Sequence, residues 1–196
     1  MTRVQANLLM LLAAFIWGST FVAQRLGMQD VGPYTYTGMR FLLGALFVMP
    51  LAWREYRNLH VRGIRFERSD FVKWLGIGLL LTGGAVLQQI GIVTTTASNA
   101  GLLTALYVPL VPILAWVLHK HVPHWSLWPA VAGSLYGTYL LGGGELSALN
   151  TGDLWVIAST LFWSGHVLYI GRVAAEKGAP ILLAVTQFLV CGAIAT

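Results

Sequence analysis

Six apolar segments of membrane-spanning length, and the first part of a seventh, dominate this chain of 196 residues. An α-helix needs about 20 apolar residues to cross about 30 Å of hydrocarbon, so each segment is a candidate span. Charged residues make up only 10% of the chain, whereas a soluble domain carries roughly a quarter. The sequence therefore predicts an all-α integral membrane protein, a multi-span helical bundle. The predicted spans are residues 7–28, 34–53, 71–92, 97–118, 125–144, 152–171 and a seventh that begins at about Pro180.

The formal net charge of +5 is explained by membrane topology rather than by nucleic-acid binding. Most basic residues lie at one set of alternate span ends: Arg3, Arg54, Arg57, Arg62, Arg65, Arg68, Lys73, Lys120, Arg172 and Lys177. The other span ends carry Asp30, Glu145 and Asp153, with only Arg25 and Arg40 toward that side. Because Lys and Arg are enriched in cytoplasmic loops, we expect a cytoplasmic N-terminus and insertion in the cell (inner) membrane.

An internal repeat relates the start of the chain to its last part. Trp17-Gly-Ser, Pro33 and Arg40-Phe41-Leu42 correspond to Trp163-Ser-Gly, Pro180 and Gln187-Phe188-Leu189, with the same Pro-to-Phe spacing. A unit with an odd number of spans inserts upside down in its second copy, as in secondary transporters. The repeat predicts inverted five-helix units, residues 1–146 and an incomplete second unit from 147 to 196. Since the seventh segment is still apolar at Thr196, we expect a C-terminally truncated fragment.

Three runs carry a family resemblance. Ala14-Phe-Ile-Trp-Gly-Ser-Thr-Phe21 with Pro33 and Arg40-Phe41, and the run from Ala97 to Pro109, resemble an EamA-type unit of the drug/metabolite transporter superfamily. The run from Gly152 to Trp163 resembles the start of that family's second unit. The resemblance implies ten helices in two inverted halves around a central solute pathway. The family commonly has a Glu-Arg pair after the fourth span, where this chain has His119-Lys120-His121.

Polar and aromatic residues inside the predicted spans are the candidate lining of a substrate pathway, because polar groups in a bilayer usually face a bundle interior or a cavity. The candidates are Trp17, Thr20, Gln24, Arg40, Gln88, Gln89, Asn99, Thr104, Tyr107, Trp163, His166 and Gln187. Helical spacing places Trp17, Thr20 and Gln24 on one face of span one. The alternative is that these Thr, Asn and Gln side chains only join neighbouring helices by hydrogen bonds.

Arg40 and His166 are the titratable candidates well inside the spans. Arg40 lies about 9 Å along its helix from Tyr34, so it could reach the outer interface, pair with Asp30 or hold an anionic group of a substrate. His166 could relay protons, or remain neutral and hydrogen-bonded on a packed face. No Asp or Glu lies in the interior of a predicted span.

Proline and glycine predict departures from simple helix packing. Pro109 and Pro112 lack backbone N–H groups and predict a helix break or gate in span four. Gly133 and Gly137 form a small-residue pair that predicts close packing of span five, within the unit or against another protomer of a homo-oligomer.

Nothing in the sequence predicts a cofactor, a metal site or an enzyme. No carboxylate or thiolate joins His119, His121 and His124, and Pro123 interrupts the segment. No phosphate-binding loop is present, and Ser164 and His166 lie on different faces of one helix.

The sequence favours a secondary transporter, an exporter or permease, that moves a small organic metabolite or drug-like solute across the cytoplasmic membrane by alternating access. Its partners would be membrane lipid and the solute. The alternative function is a non-transporting polytopic membrane subunit or assembly partner.

Overall fold

The computed structural model describes residues 2–28, 30–120, 122–141 and 149–196. Within these ranges the secondary structure is helical. The helices are α1 (Arg3–Gly27), α2 (Pro33–Val61), α3 (Arg68–Thr94), α4 (Ala97–Thr104), α5 (Tyr107–His119), α6 (Leu127–Leu141), α7 (Thr151–Lys177) and α8 (Pro180–Ala195). The predicted roles of His121 and Glu145, and the end of predicted span five, fall outside the described residues.

Five described stretches are long and apolar enough to cross a membrane: Arg3–Gly27, Pro33–Val61, Arg68–Thr94, Thr151–Lys177, and α4 with α5 as Ala97–His119. They confirm five of the seven predicted spans and define a multi-pass membrane protein. In the described part of the chain, α6 and α8 are apolar but shorter, with 15 and 16 residues. Helix α2 continues past its predicted end at residue 53, because Leu59 is buried on the same helix.

The helix ends form two groups that serve as a reference below. The "basic end" of the bundle carries the start of α1 and α3 and the end of α2 and α7. The "distal end" carries the opposite ends of the same helices. Pro33 and Pro180, matched by the sequence repeat, each occupy the first position of a helix, where a missing N–H is tolerated.

Two antiparallel helix pairs form the centre of the bundle. Helix α3 packs along α7, with Gly91 against Val156 near the distal end and Lys73 beside Glu176 near the basic end. Helix α2 packs along α8 in the same antiparallel manner and contacts α3 as well. Helix α1 packs mainly on α4, and α5 packs on α7.

Three buried apolar clusters follow the length of the bundle. The distal cluster contains Phe21, Met28, Ile92, Ala100, Leu103 and Val156. The central cluster contains Leu81, Ala85 and Cys191, with Phe41, Trp163 and Phe188 packed on it. The basic-end cluster contains Leu59, Trp74, Ile77, Val173, Ala179 and Leu183. Most of these side chains come from α2, α3, α7 and α8, so these four helices hold most of the described core.

Predicted span four is interrupted between α4 and α5, at Ala105 and Leu106. The N–H of Leu106 bonds to the carbonyl of Leu103 at 3.1 Å, a tighter three-residue turn. Pro109 is the cause, since its ring collides with the carbonyl four residues earlier and it donates no hydrogen bond. The break therefore lies about one turn before the predicted position, and α5 continues through Pro112.

The small-residue pair of α6 packs on nothing in the described chain. A Cβ added at Gly133 or Gly137 would meet no atom within 4 Å. Close packing of this pair within the described residues is therefore not observed, and packing against another protomer stays a prediction.

Candidate functional site

Four side chains from three helices form what we call the aromatic row: Tyr107, Trp17, Trp163 and His166. Trp17 lies between Tyr107 and Trp163, with ring centroids 6.0 Å and 6.1 Å apart. The Trp163 ring meets His166 edge-on at 6.0 Å. Tilted and edge-to-face pairs of this kind contribute about 0.5–1.5 kcal/mol each beyond their buried area. The row brings together four sequence candidates from three distant parts of the chain.

A groove of about 200 Å³ runs beside Trp17 and Tyr107. It is lined by Ala14, Trp17, Gly18, Phe21, Gly101, Thr104, Ala105, Tyr107 and Val108, none of which is charged. The helix break places Ala105 and Tyr107 on this groove. Gly18 and Gly101 also line it, and because they carry no side chain they leave it open. Ligand pockets commonly span roughly 300–1,000 Å³, so this groove fits a small solute or one part of a larger one.

The row continues to α8 through a buried hydrogen bond. His166 donates from Nε2 to Oε1 of Gln187 at 2.6 Å, because an amide oxygen only accepts. The next residue, Phe188, packs on Phe41 of α2 with ring centroids 5.5 Å apart. Side-chain contacts thus link α5, α1, α7 and α8 across the middle of the bundle, and the residue after Gln187 extends this path to α2.

Arg40 lies at the end of this path. Its guanidinium Cζ lies 5.0 Å from the centre of the Phe41 ring and 5.7 Å from that of Tyr36. The pair with Asp30, one of the three alternatives that the sequence left open, does not occur among the described ion pairs, and within the described residues no acceptor bonds this guanidinium. The side chain is half-buried.

The ring contacts of Arg40 offset only part of the free-energy cost of placing its charge in a membrane helix. A charge at the centre of a spanning helix costs about 2.5–3.5 kcal/mol on insertion scales, which is an upper bound for Arg40, two turns from the start of α2. Each cation–π contact returns about 0.5–1 kcal/mol where the site is exposed. The two ring contacts therefore offset part of this cost, and they supply no hydrogen-bond acceptor for the N–H donors of the guanidinium.

Three glutamines on α1 and α3 are buried in the bundle: Gln24, Gln88 and Gln89. Gln88 donates to Oγ1 of Thr104 at 2.8 Å and joins α3 to α4. Gln89 donates to the sulfur of Met28, and Gln24 donates to Thr20 at 3.1 Å within α1. The Oε1 atoms of Gln24 and Gln89, and Nε1 of Trp163, are buried without a partner in the described chain. The Gln88–Thr104 bond fits the helix-joining alternative, whereas the unpartnered atoms do not.

Asn99 does not join this site. It lies in the first turn of α4 at the distal end, where its backbone N–H donates to Oγ1 of Thr96 at 3.0 Å. This contact caps the helix, so Asn99 has a structural setting and serves below as a control position.

Sequence reasoning missed a polar cluster at the distal end that we call the distal latch: Arg25, Thr95 and Asp153. The hydroxyl of Thr95 donates to Oδ1 of Asp153, whose side chain is only 1% exposed. Arg25 donates to the carbonyl of Thr95 at 2.7 Å. Asp153 also accepts from the N–H of Asn150 at 2.9 Å. The Asn150–Asp153 spacing of a capping box was the available sequence signal.

Ion pairs join α3 and α7 at the basic end as well. Lys73 pairs with Glu176 at 2.5 Å, and Lys177 pairs with Asp70 at 3.3 Å. Both ends of the α3–α7 pair are therefore fastened by polar contacts, with the aromatic row between them. Within the described residues, no group of His, Cys, Asp and Glu could hold a metal ion.

A multi-pass helical bundle with an uncharged, aromatic groove at a broken helix is the type of architecture that membrane transporters use. Over residues 4–143 the chain matches the EamA-like transporter family, and it belongs to that family. The match confirms the resemblance that the runs Ala14–Phe21 and Ala97–Pro109 carry.

Several relatives share the similarity over most of this chain. An uncharacterized transporter of Archaeoglobus fulgidus is 30% identical over 94% of this chain and 54% of its own length. The uncharacterized transporter YwfM of Bacillus subtilis is 23% identical over 97% of this chain and 63% of its own length. The uncharacterized inner membrane transporter YedA of Escherichia coli K12 is 25% identical over 83% of this chain and 52% of its own length.

The chain spans about half the length of the curated relatives it matches, as the 54% coverage of the Archaeoglobus protein illustrates. No solved structure matches it.

Proposed function

We propose that this chain belongs to a secondary transporter that moves a small organic solute across the cytoplasmic membrane by alternating access. Family membership and the transporter names of the relatives support the class. The uncharged groove and the aromatic row would form the solute pathway. The N-terminus and the basic end would face the cytoplasm, in accordance with the distribution of Lys and Arg.

The observation that carries the proposal is that residues matched by the sequence repeat contact their own counterparts. Trp17 meets Trp163 at 6.1 Å and Phe41 meets Phe188 at 5.5 Å between ring centroids. When two units are related by a two-fold axis, residues near the axis meet their equivalents.

The helix directions support the same relation. Helix α8 runs antiparallel to α2, its counterpart in the repeat. Helix α7 is antiparallel to α3, whereas α1 and α3 both end at the distal end, where Arg25 bonds to Thr95. Helix α7 is therefore antiparallel to α1 as well. An in-plane axis between inverted units, residues 1–146 and the beginning of a second from 147, accounts for both antiparallel pairs.

The broken helix would allow the pathway to open. Ala105 and Tyr107 border both the break and the groove, so a change of angle between α4 and α5 would move one wall of the groove. The α3–α7 pair, fastened at both ends, would remain fixed during this movement. Irregular backbone in a membrane protein is tolerated where it lines such a cavity.

The test is solute flux in proteoliposomes without ATP. The gene product that carries this chain would be reconstituted and assayed with a panel of radiolabelled acidic, basic and neutral metabolites. We expect flux of at least one solute, reduced about 5- to 100-fold in Trp17→Leu and Trp163→Leu, because each variant loses two ring contacts of about 0.5–1.5 kcal/mol apiece along the pathway.

Asn99→Ala is the control, since Asn99 lies outside the aromatic row, and each variant would be checked for folding by its elution as a single species in detergent. Absence of flux across the whole panel, or flux that neither tryptophan variant changes, would contradict the proposed function.

A further inference from the structure

The guanidinium of Arg40 is a charged group inside the bundle whose demand for acceptors the described residues do not meet. It lies on α2 beside two rings, and one of them, Phe41, packs on the buried cluster that contains Cys191 of α8. The two described ion pairs are at the basic end and involve other residues. A cation in such a setting is stabilised by an anionic partner.

We propose that Arg40 binds an anionic oxygen group of the transported solute, which makes small organic anions the substrate class. This inference rests on the proposed function. The group would be a carboxylate, a phosphate or a sulfonate, each of which presents two oxygens to the fork of N–H donors on a guanidinium.

The rings beside Arg40 prepare it for this role. Tyr36 and Phe41 contact the guanidinium through their rings, at 5.7 Å and 5.0 Å, and leave its N–H edges without a described protein acceptor. A side chain already held in place loses less conformational freedom when it binds a ligand. The Phe41–Phe188 pair offers an apolar surface next to the charge for the organic part of the solute.

The surroundings of the pathway also disfavour a cationic solute. The buried carboxylate of Asp153 is at the distal end and is engaged by Thr95 and Asn150. The carboxylates of Asp70 and Glu176 pair with lysines at the basic end. Within the described residues the path from Tyr107 to Phe41 therefore has one positive charge beside it and no acidic side chain on it.

In the sequence repeat, only the first unit has a charge at this position. The counterpart of Arg40 in the second unit is Gln187, whose Oε1 accepts from His166. One half of the pathway would thus hold the anion by charge and the other half by neutral hydrogen bonds. An asymmetric site of this type binds the solute at one position rather than at two equivalent ones.

The test uses ligands of one shape that differ in charge. The gene product, purified in dodecyl maltoside, would be assayed by equilibrium binding with radiolabelled benzoate, phenyl phosphate, benzenesulfonate, neutral benzamide and cationic benzylamine. Arg40→Gln removes the charge, and Arg40→Lys keeps the charge but loses the fork. Arg57→Gln is the matched control, an exposed arginine on the same helix near the basic end.

We expect at least one anion to bind about 10- to 100-fold more tightly than benzamide, as a hydrogen bond to a charged group allows. Arg40→Gln should abolish that preference, Arg40→Lys should keep part of it, and Arg57→Gln should keep all of it. Equal affinity for benzamide and the anions, failure of every anion to bind, or unchanged anion binding in Arg40→Gln would overturn the inference.

A lipid phosphate is the other source of the same chemistry. Native mass spectrometry of the wild type and Arg40→Gln would detect a bound lipid. A tightly retained phospholipid that depends on Arg40 and excludes the anionic probes would overturn the assignment to a solute.

The flux panel distinguishes failure of the anion site from failure of the proposed transport function. Flux of neutral or cationic solutes that requires Trp17 and Trp163 but not Arg40 would leave the transporter standing and reject the anion. Anion binding through Arg40 without flux of any solute would support the anion site and contradict the transporter.

Discussion

The indole rings of Trp17 and Trp163 meet with centroids 6.1 Å apart, at an angle of 63°. These residues come from α1 and α7 and are matched by the internal repeat of the sequence. Their contact joins the groove beside the broken helix to the central cluster around Cys191. The pair therefore connects the proposed solute pathway to the buried centre of the bundle.

The contact between these two rings should be measurable as an energetic coupling. In a double-mutant cycle with Trp17→Leu and Trp163→Leu, we expect an interaction free energy of about 0.5–1.5 kcal/mol. Reversible unfolding in mixed micelles would measure it. Trp17→Leu combined with Trp125→Leu is the control, because the Trp125 side chain is 71% exposed and has no ring contact with Trp17. Additive effects for the Trp17–Trp163 pair would count against the contact.

The close packing of α3 on α7 predicts opposite results at two glycines. A Cβ at Gly91 would lie 2.6 Å from the carbonyl oxygen of Gly152 and 2.6 Å from Cγ2 of Val156. Gly91→Ala should therefore lower the free energy of unfolding by about 1–3 kcal/mol, as overpacking does. Gly133→Ala meets open space and should be neutral or stabilising by up to about 1 kcal/mol through helix propensity. Equal effects of the two substitutions would show that α3 and α7 do not approach this closely.

The distal latch should contribute to stability through its buried carboxylate. Asp153→Asn weakens the bonds to Thr95 and Asn150 and should lower the free energy of unfolding by about 1–3 kcal/mol. Asp30→Asn, an exposed position at the same end, should change it by less than about 0.5 kcal/mol. Thermal unfolding in detergent would compare them. Equal stability of the two variants would mean that Asp153 is not engaged as described.

The break in predicted span four should depend on one proline. Pro109→Ala restores an N–H that can reach the carbonyl of Ala105, so α4 and α5 should join into a straighter helix. Spin labels would be attached at Ser98→Cys and Leu118→Cys in a Cys191→Ser background. Double electron–electron resonance should then show a longer distance between the two labels in Pro109→Ala. Pro112→Ala is the control, because α5 already continues through Pro112. An unchanged distance in Pro109→Ala would remove proline as the cause of the break.

The spans and the candidate residues were predictable because they follow from local patterns. A stretch of about 20 apolar residues can cross a bilayer only as a helix. Pro33 and Pro180 indicated where two helices begin, because proline is favoured at the first helical position. The extension of α2 to Val61 was not predictable from hydropathy, since it depends on the burial of Leu59 against α3 and α8.

The contacts within the site were not predictable, because they join distant parts of the chain. The repeat matched Trp17 with Trp163, but nothing in one sequence says that matched residues also touch. Asp153 was interpreted as a loop charge, although its carboxylate is buried against Thr95. The break arose about one turn before Pro109 because a proline ring acts on the carbonyl four residues earlier.

The most direct test of the account is the accessibility of the groove from each side of the membrane. Single cysteines at Ala105, Ser98 and Arg62, in a Cys191→Ser background, would be treated with an impermeant maleimide in right-side-out and inside-out vesicles. We expect Ser98→Cys to react only in right-side-out vesicles, Arg62→Cys only in inside-out vesicles, and Ala105→Cys in both. Reaction of Ser98→Cys and Arg62→Cys from the same side, or of Ala105→Cys from one side alone or neither, would contradict a pathway that opens alternately to the two faces.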